Sequence, residues 1–389
     1  MPDQANGGGG DEPPQHIEVV GHEDQPERTE NNTANNGDSH GPNGLRDSKG
    51  WDGKLRIDRN ALIANPEALS DQEYSDNENV APGEEIDADE DLLDDEDPDT
   101  EAINLVQSRV ASIHSLHLER FKKVKQLCLR QNLVQNIEGL SALASTLEDL
   151  DLYDNLVSHI RGLDELTELT SLDLSFNKIK HIKHIDHLTK LTDLYFVNNK
   201  ISRIEGLDTL VNLRQIELAS NRIREIQNLD SLQNLEQLWL AKNKITELHG
   251  LGGLPKLKLL SVQGNRIADL SPLREVPHLM ELYASNNAIE SLEGLEHNIN
   301  LTTLEISGNK VKSLRGLGGM THLEELWASS NQISDFTDIE RELADKEKLK
   351  TVYFEGNPVQ LQRPALYRNK VRLALPQIDQ IDATFIRAT

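Results

Sequence analysis

With one cysteine in 389 residues, Cys128, the chain cannot be held by a disulfide framework. No apolar run approaches the roughly 20 residues that cross a bilayer, so no membrane contact is expected. The opening MPDQANGGGGDEPPQ lacks the charged start and apolar stretch of a secretory signal, which points to an intracellular protein. Positive charge is in deficit, with 40 Lys and Arg against 66 Asp and Glu and a net charge of −26. Phosphate backbones are bound by cationic faces, so nucleic acid is excluded as the main partner. Gly-rich phosphate loops, CxxC pairs and nucleophile elbows are missing as well, so no catalytic residue, cofactor or enzymatic activity is expected.

What is present is unevenly distributed. Residues 1–105 hold 29 acidic against six basic side chains, a net of −23, leaving −3 for the remainder. Residues 1–101 are Gly, Asn, Pro, Asp and Glu with Trp51 and Tyr74 as the only aromatics, too little apolar surface to offset the entropy of ordering. They read as a disordered acidic tail, densest at EEIDADEDLLDDEDPD (84–99), with Ser70 and Ser75 as candidate modification sites among the acids.

Past residue 102 the chain repeats. Asparagines fall at 132, 155, 177, 199, 221, 243, 265, 287, 309, 331 and 357, with eight successive spacings of 22. Around each, apolar residues recur eight, five and usually three places before and two and five after; for Asn243 they are Leu235, Leu238, Leu240, Ile245 and Leu248. This LxxLxLxxNxIxxI frame is the leucine-rich repeat. In the LxL part alternate side chains point to opposite sides of a short strand, so the Leu pair faces a core. The Asn amide, with donors and an acceptor, satisfies the backbone of the buried turn and of its neighbours. The fold class is therefore α/β: a solenoid of 22-residue coils with a concave parallel sheet, a convex side of short 3₁₀ or helical segments, and caps at both ends.

The ends are atypical, as a stack with two open apolar faces requires. Residues 102–131 supply an N-terminal capping coil and first strand, in which Ile103, Leu105, Val110, Ile113 and Leu116 follow the frame with Ser108 in the Asn place. Repeats run over 132–348. Residues 349–389 form the final coil and C-terminal cap, with RELADKEKLK (341–350) read as helical and Tyr367, Val371, Leu373, Leu375, Ile378 and Ile381 as a covering helix and strand.

Two patterns imitate function. His181, His184 and His187 recur every third residue, resembling a metal triad, but they follow Asn177 on the convex side and no carboxylate is spaced with them, so no metal is assigned. Lys350–Phe354 reads as a K-x-V-x-F docking motif, yet the repeat register turns Val352 and Phe354 inward. The informative positions are the outward ones four residues before each Asn: Cys128, Asp151, Asp173, Tyr195, Glu217, Trp239, Ser261, Tyr283, Glu305, Trp327 and Tyr353. Five of these eleven are Tyr or Trp, from nine in the whole chain. Large aromatics alternating with acids have the composition of a protein interface, and Glu325, Glu281 and Asp193 add acidity two places earlier.

The 22-residue coils with IEGL at 137 and 204 and IRGL at 160, LYFVNNKISRIEGL at 194–207 and the ending TVYFEGNPVQ…IDATFIR resemble the regulatory subunit 7 family, the leucine-rich-repeat regulators of type-1 protein phosphatase, over residues 102–389. The resemblance implies a non-enzymatic subunit that grips the phosphatase catalytic subunit with its concave face, often alongside a second inhibitor protein. It further implies a location mainly in the nucleus, also the cytoplasm, and links to mitosis and to maturation of new phosphatase. The family's contact positions map onto Asp173, Tyr195, Glu217, Trp239, Glu305, Glu325, Trp327 and Tyr353, all but Glu325 in the outward column. Alternatives are a repeat scaffold for another partner, such as a splicing-type RNA–protein complex, and a GTPase-activating repeat protein, which would need a rim arginine.

Overall fold

The computed structural model describes residues 92–386. Three-residue strands recur once per coil: β1 Ala102–Asn104, β2 Gln126–Cys128, β3 Asp149–Asp151, β4 Ser171–Asp173, β5 Asp193–Tyr195, β6 Gln215–Glu217, β7 Gln237–Trp239, β8 Leu259–Ser261, β9 Glu281–Tyr283, β10 Thr303–Glu305, β11 Glu325–Trp327 and β12 Thr351–Tyr353. Two-residue strands β13 Gln380–Ile381 and β14 Thr384–Phe385 complete one 14-stranded sheet in sequence order. All neighbours are parallel except β13 and β14, which form an antiparallel hairpin. The register never slips: Leu150, Leu172, Leu194, Ile216, Leu238, Leu260, Leu282, Leu304, Leu326 and Val352 pair in one row and are fully buried. A one-residue shift would bring the outward acids into the core, so burial itself fixes the register.

The asparagine ladder works as the amide chemistry requires. Asn177 Nδ2 donates to Leu152 O of the preceding coil (2.9 Å) and to Leu174 O of its own (3.1 Å), while its Oδ1 accepts from Val157 N (2.8 Å). The residue before each ladder Asn is left-handed, from Gln131 (φ 57°) through Phe176 (φ 56°) and Lys242 (φ 54°) to Gly356 (φ 78°). His184 (φ 59°) holds the left-handed place that Gly162, Gly206 and Gly250 hold in other coils.

The tail boundary moves. Of the expected disordered segment, residues 1–91 lie outside the described residues, but 92–101 are built into the fold. Leu93 is only 3% exposed and joins the core, and Asp94, Asp99 and Glu101 lie within 3.8, 3.0 and 2.9 Å of Arg120, Lys123 and Lys125. The acidic composition concealed a leucine that covers the first coil. Ser108 takes the ladder position as expected, following the left-handed Gln107 (φ 57°) with its hydroxyl donating to Val106 O of its own turn (3.4 Å).

At the other end helix α1 spans Phe336–Leu343, so it starts before RELADKEKLK and stops inside it. Asp335 sets the start by accepting from Thr337 N (2.8 Å). The stop follows because Lys346 and Leu349 are buried and their backbone turns toward β12. Helices α2 Pro358–Leu361 and α3 Pro364–Ala374 and the β13–β14 hairpin form the cap, burying Tyr367, Val371, Leu375, Ile378 and Ile381. Leu373 does not belong to that set: it is 82% exposed, on the side of α3 away from Tyr367 and Val371. Among the described residues no helix is long and apolar enough to cross a membrane.

Candidate functional site

Each strand puts its middle residue into the core and its first and third on the outer face, so the third residues make a column along the sheet. Asp173, Tyr195, Glu217, Trp239, Glu305, Trp327 and Tyr353 all occupy it, and Glu325 is the first residue of β11, beside Trp327. All eight are half-buried, because large side chains 4.8 Å apart cover one another. Trp327 and Tyr353 stack with ring centroids 4.1 Å apart and planes 7° apart. Trp327 Nε1 donates to Glu325 Oε2 (2.9 Å), so ring and carboxylate are fixed as a unit.

The middle of the column has a step. Ser261 is fully buried because Trp239 and Tyr283, two strands apart, close above it with centroids 6.2 Å apart and planes 16° apart. Tyr283 OH donates to Glu281 Oε2 (2.7 Å), repeating the aromatic–carboxylate unit of β11. The small side chain at Ser261 thus turns two separate aromatics into one surface, and Gln263 Nε2 links it to Glu305 Oε2 (3.0 Å).

Toward the N-terminal coils the column opens into a depression of about 530 Å³ lined by Asp149, Asp151, Asp173 and Glu217, by Tyr153, Phe176 and Tyr195, and by Arg130. Arg130 pairs with Asp151 and Asp173 and lies 4.8 Å over the Tyr153 ring, which in turn meets Phe176 at 4.7 Å. Burial pushes the carboxyls of Asp149, Asp173 and Glu217 above the usual carboxylate range. Burial, with Asp193 and Glu217 nearby, pushes the Tyr195 phenol up to about 12, so it stays a hydrogen-bond donor at neutral pH. Desolvated carboxylates facing one guanidinium are electrostatically unrelieved, and an added cation would lower their energy. Arg130, Asp149, Tyr153 and Phe176 escaped the column reading because they lie outside its four-before-Asn positions. A second outward column, two before each Asn, would have found Arg130 and Tyr153.

The histidines are not assembled, although, contrary to the expectation that no carboxylate is spaced with them, the next coil does bring one, Glu205, to His181. His181 Nδ1 lies 3.0 Å from Glu205 Oε1, His187 Nε2 lies 2.9 Å from Leu163 O, and no metal-holding group of His, Cys, Asp or Glu occurs among the described residues. Val352 and Phe354 are fully buried, as the register reading required.

Comparison with known proteins agrees with this architecture. A family model for leucine-rich repeats (two copies) matches residues 189–231, 233–275 and 299–341. Among solved structures, an internalin from Listeria monocytogenes covers 74% of this chain and 87% of its own at a TM-score of 0.59 and 22% identity, and a Leptospira interrogans repeat protein gives 0.52 at 21%. Identities this low speak for the fold alone. Protein phosphatase 1 regulatory subunit SDS22 of Schizosaccharomyces pombe is 53% identical over 86 residues, 22% of this chain and 25% of that one. SDS22 of Saccharomyces cerevisiae is 46% identical over 88 residues, 22% and 26% of the two chains, and human protein phosphatase 1 regulatory subunit 7 is 56% identical over 46 residues, 12% of each. The matched stretches span about a quarter of the two yeast relatives. With one strand and one asparagine rung per coil, the chain is a leucine-rich-repeat solenoid, similar over these short stretches to the protein phosphatase 1 regulatory subunits SDS22 and 7.

Proposed function

We propose that this protein is a non-enzymatic regulatory subunit that seats the catalytic subunit of type-1 serine/threonine protein phosphatase on the outer face of its sheet. It would control the enzyme's activity, maturation or mitotic targeting in the nucleus and cytoplasm, in some assemblies with a second inhibitor protein. The carrying observation is the Glu325–Trp327–Tyr353 unit, a stacked aromatic pair with a carboxylate fixed at its edge, half-exposed on a rigid sheet. Such a unit fills an apolar depression while the carboxylate meets Lys or Arg at its rim. Asp173, Tyr195, Glu217, Trp239 and Glu305 continue the same stripe. The unrelieved acids of the N-terminal depression favour a basic partner surface and oppose a phosphate backbone.

The test is co-precipitation of recombinant catalytic subunit with the Glu325→Lys, Trp327→Ala double variant. Removing the aromatic is expected to weaken binding by about 2 kcal/mol or more, with a comparable penalty from the reversed charge. Circular dichroism and melting control for folding, which these outward side chains do not carry. Undiminished phosphatase capture by a normally folded variant would move the interface off this face.

A further inference from the structure

We propose that the partner-binding face does not end at Tyr353 but continues onto the β13–β14 hairpin, with Phe385 as its terminal contact. This rests on the phosphatase reading above. Phe385 is 72% exposed, an unusual condition for an aromatic in a chain with so few, and it lies in the IDATFIR stretch that the repeats themselves do not explain.

Its orientation follows from register. Glu325, Thr351 and Gln380 pair across β11, β12 and β13, and Gln380 pairs with Phe385 across the hairpin. Directly paired residues share a face. Gln380 Nε2 donates to Tyr353 OH (2.7 Å), so that face is the outer one carrying Trp327 and Tyr353. At about 4.8 Å per strand, Phe385 stands about 14 Å from the Glu325 row.

The hairpin is also held as a rigid platform. Asp382, left-handed at φ 49°, accepts from Phe354 N (2.9 Å) and Glu355 N (3.0 Å) through Oδ1 and from Tyr367 OH (2.9 Å) through Oδ2. Its carboxylate thereby takes over the acceptor role that the next coil plays elsewhere, as when Ala328 N donates to Tyr353 O. Arg368 donates to the carbonyls of Ile381 (3.1 Å), Thr384 (3.0 Å) and Phe385 (3.0 Å). A strand of two residues would otherwise fray, and a guanidinium bound to three of its carbonyls fixes the backbone that presents the ring. Exposed aromatics are favourable contacts when their backbone is already ordered, since little entropy remains to be lost on binding. The occupant is therefore the same phosphatase subunit, meeting Phe385 with an apolar surface contiguous with the one that covers Trp327.

The experiment uses the full chain and recombinant type-1 catalytic subunit at physiological salt. Phe385→Ala is expected to weaken binding about tenfold and Phe385→Tyr less than threefold, with melting unchanged in both. The photo-crosslinker p-benzoylphenylalanine at 385 should couple to the catalytic subunit, whereas the same group at the exposed position of Leu373 should not. If Trp327→Ala weakens binding while Phe385→Ala stays within twofold and position 385 gives no crosslink, the extension is overturned and the sheet-face reading stands. If Trp327→Ala itself leaves binding unchanged, the sheet-face reading falls, and with it the continuity on which this inference depends.

Discussion

Replacing Asn243 by Leu removes four hydrogen bonds, yet the structure says that only one group is left stranded. Asn243 Nδ2 donates to Leu218 O (2.9 Å), Leu240 O (3.1 Å) and Ala241 O (3.3 Å), and its Oδ1 accepts from Ile223 N (2.9 Å). Leu218 O retains the bond from Asn221 Nδ2 (3.1 Å), Leu240 O that from Asn265 Nδ2 (3.0 Å), and Ala241 O that from Ser220 N (2.8 Å). The carbonyls are shared between successive rungs, whereas the amide of Ile223 loses its ladder acceptor. One orphaned buried N–H costs about 1–3 kcal/mol. Asn132→Leu strands three groups, since both Ser108 N and Val110 N (3.0 Å each) donate to its Oδ1 and Leu105 O takes its bond from Asn132 Nδ2 (2.6 Å) with no earlier rung to share it, and it should cost more despite its place near the end of the stack. The assay is urea unfolding followed by circular dichroism, with amide exchange at Ile223 as the local readout. A loss above about 5 kcal/mol for Asn243→Leu would mean that the carbonyls are not doubly served. A loss below about 0.5 kcal/mol with Ile223 still protected would mean that the amide finds another acceptor.

Three further outcomes are expected. Leu93→Ala should destabilise by about 2 kcal/mol through loss of a core leucine at the edge of the stack, and an unchanged urea midpoint would place Leu93 outside the core. His184→Gly should stabilise by about 0.5–1 kcal/mol, because the left-handed backbone there suits glycine, while His184→Ala stays near neutral; thermal melting distinguishes the two. Asp149, Asp173 and Glu217, whose pKa values burial raises, bind protons in the folded chain at a pH where the unfolded chain has released them. Their contribution to stability therefore rises as pH falls through the region just above the ordinary carboxylate range of about 4, while capture of a cationic partner weakens there. Asp173→Asn with Glu217→Gln should flatten both trends, and an unchanged pH profile would refute the assignment.

The periodic part of this protein was legible because its determinants are local and repeated: each coil carries the same strand, turn and ladder residues, so every spacing confirms the others. The outward column followed from strand alternation alone. Leu93 was hidden because a single buried side chain in an acidic block leaves no periodic trace. Helix α1 was placed too late because its start is set by Asp335 capping its own turn, and Asp338 Oδ2 reaches back to Leu314 N (2.7 Å), a contact 24 residues distant that no local window contains. The closure of Trp239 and Tyr283 over Ser261 depends on the size of the intervening residue, which a pattern of polar and apolar letters does not encode.

The uniform register has a consequence for how such a chain can change. Cutting out 22 residues between equivalent points joins two surfaces that already match, so the core and the ladder close again without a gap. What changes is length: every outward side chain beyond the cut moves by one strand, about 4.8 Å, toward those before it. Folding is thus tolerant of gained or lost coils, but on the proposed seat a rigid partner lying across Asp173 at one end and Tyr353 at the other would not be. Coil number between those two residues would then be a ruler, with its graduation set from outside the chain.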